Sequence, residues 1–319
     1  MITFPFSYNF GYACINTRLR KQDVFCSRTL RLATLQEKGV EEAKKLAQNN
    51  LEDLLIILQW NKENNILFFR LSSEMFPFAT HKDYLYSLDS FDPILKKIGE
   101  YARENNIRLT THPGQYNVLS CKDPRILENT IRELNHHSDI LDRMGMGADS
   151  VIIIHGGGVY SDKQASLQRL ESNYMLLSES TRNRLVLENC EMSYSIEDLL
   201  PISEKLKVPL VIDFHHNHIN PSKENILVLF ERVYSVWKER KITPKIHVSN
   251  SIPGVKNTDS KTARRKHSDY ISYFHKEIFQ LHLFVKHIDI MLECKMKEDA
   301  IISLLHCKKC QDEENLTTY

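Results

Sequence analysis

Fourteen histidines are spread along this 319-residue chain, and those with chemical promise stand at the ends of short apolar runs. Val211-Ile212 leads into Asp213, followed by Phe214-His215-His216. The run Val151-Ile152-Ile153-Ile154 leads into His155, Leu109-Thr110-Thr111 into His112, and Lys245-Ile246 into His247. Carboxylates hold the same station after Leu185-Val186-Leu187 (Glu188) and Ile290-Met291-Leu292 (Glu293). Imidazole and carboxylate together suit Mn, Zn or Fe, whereas Mg favours oxygen and water. So many ionisable groups need partners if they are buried together, and divalent cations supply them. With this many ligands, two or three ions are expected rather than one. Such a cluster suits hydrolysis of a phosphate ester: one ion lowers the pKa of a water and another stabilises the leaving oxygen.

The elements that must position these groups follow from the same runs. Short apolar stretches bounded by polar residues read as strands buried in a parallel sheet. Eight occur, at residues 10–16, 66–73, 108–113, 151–155, 185–188, 211–216, 245–248 and 290–293, with helical stretches between them. The first of these helices carries Leu35, Ala43, Leu46, Leu51, Leu54 and Leu55 as an apolar stripe, and Pro93 suits a helical first turn. Eight alternations of strand and helix are the count of an α/β TIM barrel. A single barrel domain is expected over residues 1–305, followed by a polar tail at 306–319. Barrel enzymes gather their chemistry at the carboxyl ends of the strands. Closing the barrel would therefore bring His112, His155, Glu188, Asp213, His216, His247 and Glu293 to one mouth, within reach of His81 and His267 in the loops after strands two and seven. Strand alternation would place Asp213 and His215 on one face and His216 on the other.

The bulk composition sets limits. Lys and Arg total 42 against 41 Asp and Glu, a formal net charge of +1, so no global field argues for nucleic acid. A local basic groove stays compatible, because bound cations add charge that the count omits. No apolar run approaches the roughly 18 residues of a membrane span, and residues 1–8 carry no signal-peptide pattern. Seven scattered cysteines fit a reducing interior, cytoplasm or nucleus. The lone Cys307-Lys308-Lys309-Cys310 pair, without a second ligand pair, reads as incidental.

The ordered motifs Gly11-Tyr12 with Asn16, Arg70-Leu71-Ser72-Ser73 with Ala79-Thr80-His81, and His112-Pro113-Gly114-Gln115-Tyr116 point further. They continue as His155-Gly156-Gly157-Gly158, Leu187-Glu188-Asn189, Asp213-Phe214-His215-His216, Pro244-Lys245-Ile246-His247, His267-Ser268-Asp269-Tyr270 and Glu293-Cys294-Lys295. In these the chain, from about Tyr12 to Lys297, resembles the UV damage endonucleases, metal-dependent DNA repair enzymes built on a TIM barrel.

The resemblance implies hydrolysis of duplex DNA immediately 5′ to cyclobutane pyrimidine dimers and 6-4 photoproducts, the step that initiates excision repair. It implies metal ligands at His81, His112, His155, Glu188, Asp213, His216, His247, His267 and Glu293, holding up to three ions, Mn2+ by preference. It also implies catalytic roles for Glu188, His247 and Lys245, the last a candidate for carboxylation. Gln115 and Tyr116 would be pushed into the damaged duplex, with Tyr12 and Asn16 lining the groove. Arg18, Arg20, Lys21 and the run Arg264-Arg265-Lys266 are candidate phosphate contacts. One departure is visible: Cys190 stands where relatives commonly carry an acid, with Glu191 one place later. UV-damaged double-stranded DNA is the expected partner, the protein acting as a monomer with no membrane. Rival readings on the same metal barrel are an abasic-site endonuclease and a sugar isomerase. A third is a DNA-binding protein that senses distortion without cutting.

Overall fold

Eight parallel strands pair in chain order and the eighth returns to the first, closing a barrel. They are β1 (Ser7–Ala13), β2 (Phe68–Leu71), β3 (Arg108–Thr111), β4 (Ile152–His155), β5 (Leu185–Glu188), β6 (Leu210–Asp213), β7 (Lys245–Val248) and β8 (His287–Leu292). The computed structural model describes residues 3–306; the Cys307/Cys310 pair and the rest of the polar tail lie outside the described residues. One or more helices follow every strand, so the TIM barrel expected from the alternation is the fold. No helix among the described residues is long and apolar enough to cross a membrane.

Several expected boundaries shift, two of them at a local turn of the chain. The first strand runs from Ser7 to Ala13 and does not reach Asn16. Ser7 to Gly11 pair in register with His287 to Met291 of β8, and the chain leaves the sheet at Cys14, whose φ is +68°. Asn16 instead caps the helix Thr17–Arg20, its side-chain oxygen accepting from the Leu19 N–H; asparagine is a favoured cap for this reason. The expected long helix is also divided, into Leu32–Lys38 and Val40–Glu63, at Gly39 with φ +78°. Its second part buries Ala43, Ala47, Leu51, Leu54 and Leu58 on one helical stripe.

The outward face of each strand packs on helices in one continuous apolar core. The inward face is unusually polar, and the two-residue period of the strands sets its layers. At the amino end, Arg108 of β3 ion-pairs with Asp289 of β8 at 2.9 Å, both buried. Above them Lys245 lies over the Phe68 ring at 4.9 Å and within 3.5 Å of Thr110 Oγ1. One step further, Arg70 ion-pairs with Glu293. Alternation that places Arg108 and Thr110 inward on β3, with His112 just past its end, thus carries a polar column up to the mouth.

Candidate metal centre

Register places the first ligands. His155 pairs with Glu188 across β4 and β5, and Asp213 with His247 across β6 and β7. Asp213 ends its strand and caps the helix Phe214–Ile219, its Oδ1 accepting the His216 backbone N–H at 2.7 Å. The turn overturns the expected strand alternation. Three helical residues bring His216 back beside Asp213, with Nδ1 3.6 Å from Oδ2, whereas His215 turns aside and packs its ring 5.5 Å from that of His267.

Three groups of side chains then offer ligand atoms within 4.8 Å of one another: His112, His155 and Glu188; Glu188, Asp213 and His216; Asp213, His247 and Glu293. Glu188 belongs to two groups and Asp213 to two, so the sites share walls. Glu188 Oε2 lies 3.1 Å from His112 Nε2, and its Oε1 lies 3.1 Å from His247 Nδ1 and 3.4 Å from His216 Nδ1. Glu293 joins through His247 Nδ1 at 3.3 Å, and His267 Nε2 stands 4.0 Å from Glu293.

The residues fit divalent cations on two counts. Asp213 Oδ2 and His155 Nδ1 are buried without a hydrogen-bond partner, a costly arrangement that a cation would relieve. The electrostatics agree. Burial pushes the Glu188 carboxyl up, but the His247, His155 and His112 imidazoles outweigh it and hold the group well below the usual carboxylate range. Burial pulls His216 down, yet Asp213 and Glu188 hold it well above the usual histidine range. Glu188 as an anion and His216 as a cation are thus stabilised side by side in the cluster.

Surrounding residues keep this cluster in shape, and their roles are not legible from residue type. Asn189 is fully buried and clamps two strand ends, accepting from the Asp213 N–H at 2.8 Å and donating to the Asp213 carbonyl at 3.0 Å. Its carbonyl lies 3.0 Å from His216 Nδ1. Arg70 orients Glu293. In sequence it shows as an arginine inside an otherwise apolar strand, at the head of the Arg70-Leu71-Ser72-Ser73 motif. At the departure noted above, Cys190 Sγ accepts the backbone N–H groups of Ser193 and Tyr194. Glu191 supplies an acid near the centre, 3.8 Å from His216 Nε2 and 3.3 Å from Arg265.

Other expected positions divide. Gln115 is exposed and lines the mouth, a cavity of about 630 Å³ that also holds His112, His155, Glu188, His216 and Glu293. Tyr116 beside it is 70% exposed. His81 is not brought to the three groups; it packs on Phe78 and Tyr84 and lines a second cavity. Tyr12 and Asn16 line no groove, because both are 0% exposed. The Tyr12 hydroxyl donates to Asn61 at 2.6 Å and accepts from Asn16 at 3.0 Å, which ties β1 to the helix Val40–Glu63. Arg18 is drawn into an ion pair with Asp299, and Arg20 lies over the Phe25 ring. Arg264 donates to the His218 carbonyl. Lys266 stays exposed and lines a depression with His267, Glu293, Lys295 and Lys297.

His155 in the first ligand group, and His136 and His275 outside the centre, are held neutral at pH 7. Burial depresses His155, His136 and His275 from 6.5 to about 4. A histidine depressed in the folded state contributes stability that is fully present above its unfolded value of 6.5 and is lost progressively as pH falls from there to the folded value of about 4. Every tenfold difference in proton affinity between the folded and unfolded chain corresponds to ~1.4 kcal/mol. The metal-free protein should therefore lose several kcal/mol between pH 7 and pH 4.5, read as a falling urea midpoint. A midpoint flat over that window would contradict the burial of these rings.

A family model described as UV-endonuclease UvdE matches residues 8–318. A UV-damage endonuclease of Schizosaccharomyces pombe is 39% identical over 311 residues, 94% of this chain and 50% of that protein. A putative UV-damage endonuclease of Acanthamoeba polyphaga mimivirus is 37% identical over 301 residues, covering 92% and 89%. The chain thus spans about half the length of the fission-yeast relative and most of the viral one. A crystal structure described as SacUVDE superposes with a TM-score of 0.79 at 33% identity, covering 92% of this chain and 95% of the other. Endonuclease IV of Thermus thermophilus, at 12% identity and a TM-score of 0.54, shares the fold alone. With the family model spanning nearly all of its length, the chain belongs to the UV-endonuclease family.

Proposed function

We propose that this protein is a metal-dependent endonuclease that nicks duplex DNA immediately 5′ to UV photoproducts, both cyclobutane pyrimidine dimers and 6-4 photoproducts, leaving 3′-hydroxyl and 5′-phosphate ends. The observation that carries the reading is the placement of three wall-sharing ligand groups directly beside the exposed Gln115-Tyr116 turn. His112, His155, Glu188, Asp213, His216, His247 and Glu293 would hold two or three ions, Mn2+ by preference for the mixed nitrogen and oxygen set, with His267 at the rim. Bound there, the ions supply Lewis acidity, a water of lowered pKa and neutralisation of the phosphate.

The chain's own residues do the rest. Glu188 and Asp213, fixed by His247 and Asn189, keep neighbouring sites at one spacing. Arg70 holds the Glu293 carboxylate toward the mouth. Lys245, buried among Arg108 and Arg70, is held well below the usual lysine range, first by burial and then by those two guanidiniums. A neutral amine can attack CO2, losing a proton to give a carbamate, and the resulting anion would offset the two arginines below the metal centre. Gln115 and Tyr116 present an amide and an aromatic face where a duplex must lie. A damaged step unstacks at lower cost than an intact one, and the two side chains can occupy the gap it leaves.

Incubation with Mn2+ and a duplex carrying one cyclobutane dimer should give a single nick at the phosphodiester 5′ to the lesion, none on the undamaged duplex, and none after chelation by EDTA. Absence of any nick with Mn2+, Mg2+, Zn2+ or Co2+ would overturn the reading.

A further inference from the structure

Two imidazole nitrogens beside the metal centre are buried with no hydrogen-bond partner among the described residues: Nε2 of His215 and Nδ1 of His267. The two rings lie 5.5 Å apart, centre to centre, inclined at 58°. His267 turns its other nitrogen, Nε2, toward Glu293 at 4.0 Å. That ring therefore has one end at the ligand groups and the other in the interior. A buried polar atom left unpaired is costly, and a small turn about a side-chain torsion would let each of these two satisfy the other.

We infer that His215 is a positioning residue for His267: its Nε2 accepts the Nδ1–H of His267 and so fixes the tautomer and the angle at which His267 offers Nε2 to a cation beside Glu293. The inference rests on the reading of the centre as a metal site and extends it to a residue outside the three ligand groups. A neutral imidazole that gives Nε2 to a cation carries its proton on Nδ1. Metal-ligating histidines almost always donate that proton to a fixed acceptor. His215 can be that acceptor only as a neutral ring. Burial, and then the His267, His216 and His218 imidazoles around it, disfavour a second proton there, and bound cations would act in the same direction.

The backbones that carry the two rings are pinned. His267 pairs with Ser251 in a short antiparallel bridge. On either side of it, the Ile252 N–H donates to the Lys266 carbonyl at 3.0 Å and the Ser268 N–H to the Asn250 carbonyl at 2.8 Å. His215 is 1% exposed and stands in the first turn of the helix Phe214–Ile219. Only side-chain torsions then remain to aim His267, and a hydrogen bond to His215 removes that freedom. The turn capped by Asp213 thus serves the centre twice, sending His216 to the ligand groups and His215 to the back of His267.

Mn2+ titrations of the metal-stripped full chain, with the free ion counted by electron paramagnetic resonance, test this. His215→Leu keeps bulk and removes the acceptor, so it should weaken the binding of one ion by about 10- to 100-fold. His215→Gln sets an amide oxygen near the lost nitrogen and should restore most of that affinity. Because His215 acts through His267, adding His215→Leu to His267→Ala should cost nothing beyond His267→Ala alone. Losses that multiply in the double variant, a glutamine variant no better than leucine, or parental affinity in His215→Leu each overturn the inference and leave the metal reading standing. A His215→Leu protein that loses its far-UV circular dichroism also overturns it, since His215 would then hold the fold and not the ligand. A parent protein that binds no Mn2+ removes the metal reading, and the inference with it.

Discussion

Glu188→Gln should lower the rate of nicking on the order of 10³-fold while leaving the barrel folded. The carboxylate belongs to two of the three ligand groups and lies within 3.1 to 3.4 Å of His112, His216 and His247. Glutamine keeps the volume and removes the charge that holds these imidazoles and their cations together. The same substitution should reduce bound Mn2+ by at least one ion per chain, measured by elemental analysis after gel filtration, with an unchanged far-UV circular dichroism spectrum. Activity within tenfold of the parent protein would show that Glu188 is a bystander. Because two sites share one carboxylate, its loss should exceed that of His155→Ala, which removes a ligand from a single group.

Lys245→Arg should be the most damaging conservative change in the chain. The lysine is 1% exposed and packed against Phe68, with Arg108 and Arg70 as charged neighbours. A lysine there can shed its proton, whereas a guanidinium cannot. Placing an obligatory charge in that layer without a new partner should cost ~3–5 kcal/mol, read as a lowered urea midpoint. Lys245→Met keeps the length and apolar stem, so it should fold with near-parental stability and lose activity. If the arginine variant proves as stable as the methionine variant, the barrel interior tolerates a third cation there and Lys245 is not held neutral.

How much of this is legible in the sequence depends on which force sets each feature. The strands expected at 185–188 and 245–248 have the same limits in the structure: Leu185-Val186-Leu187 is an apolar run with a sharp polar end, and Lys245–Val248 is bounded by Pro244 and Ser249. The convergence of their ligands follows from barrel closure, which brings any group at a strand's carboxyl end to one rim. Local turns are not legible. Asp213 reads in sequence as continuing a strand, but its side chain caps a helix, and that single turn exchanges His215 for His216 as its neighbour. Tyr12 and Asn16 are expected in a groove, yet each satisfies the other's polar atoms inside the protein; residue type alone does not separate a buried hydrogen-bond pair from a solvent-facing one. His81 lies on a loop whose path is set by Phe78, at φ +61°, and by ring packing, neither of which leaves a periodic signal. Arg70 and Asn189 matter through partners more than 20 residues away in sequence, so their work becomes visible only with the barrel closed.

The central claim is that Glu188 and Asp213 are walls shared between neighbouring cation sites. Anomalous scattering at the manganese edge from crystals grown with Mn2+ tests it most directly. Two or three peaks should lie at the mouth of the barrel, with Glu188 touching two of them and Asp213 contributing to the second and third. A single peak bound by neither carboxylate, or none among His112, His155, His216, His247 and Glu293, would contradict the account.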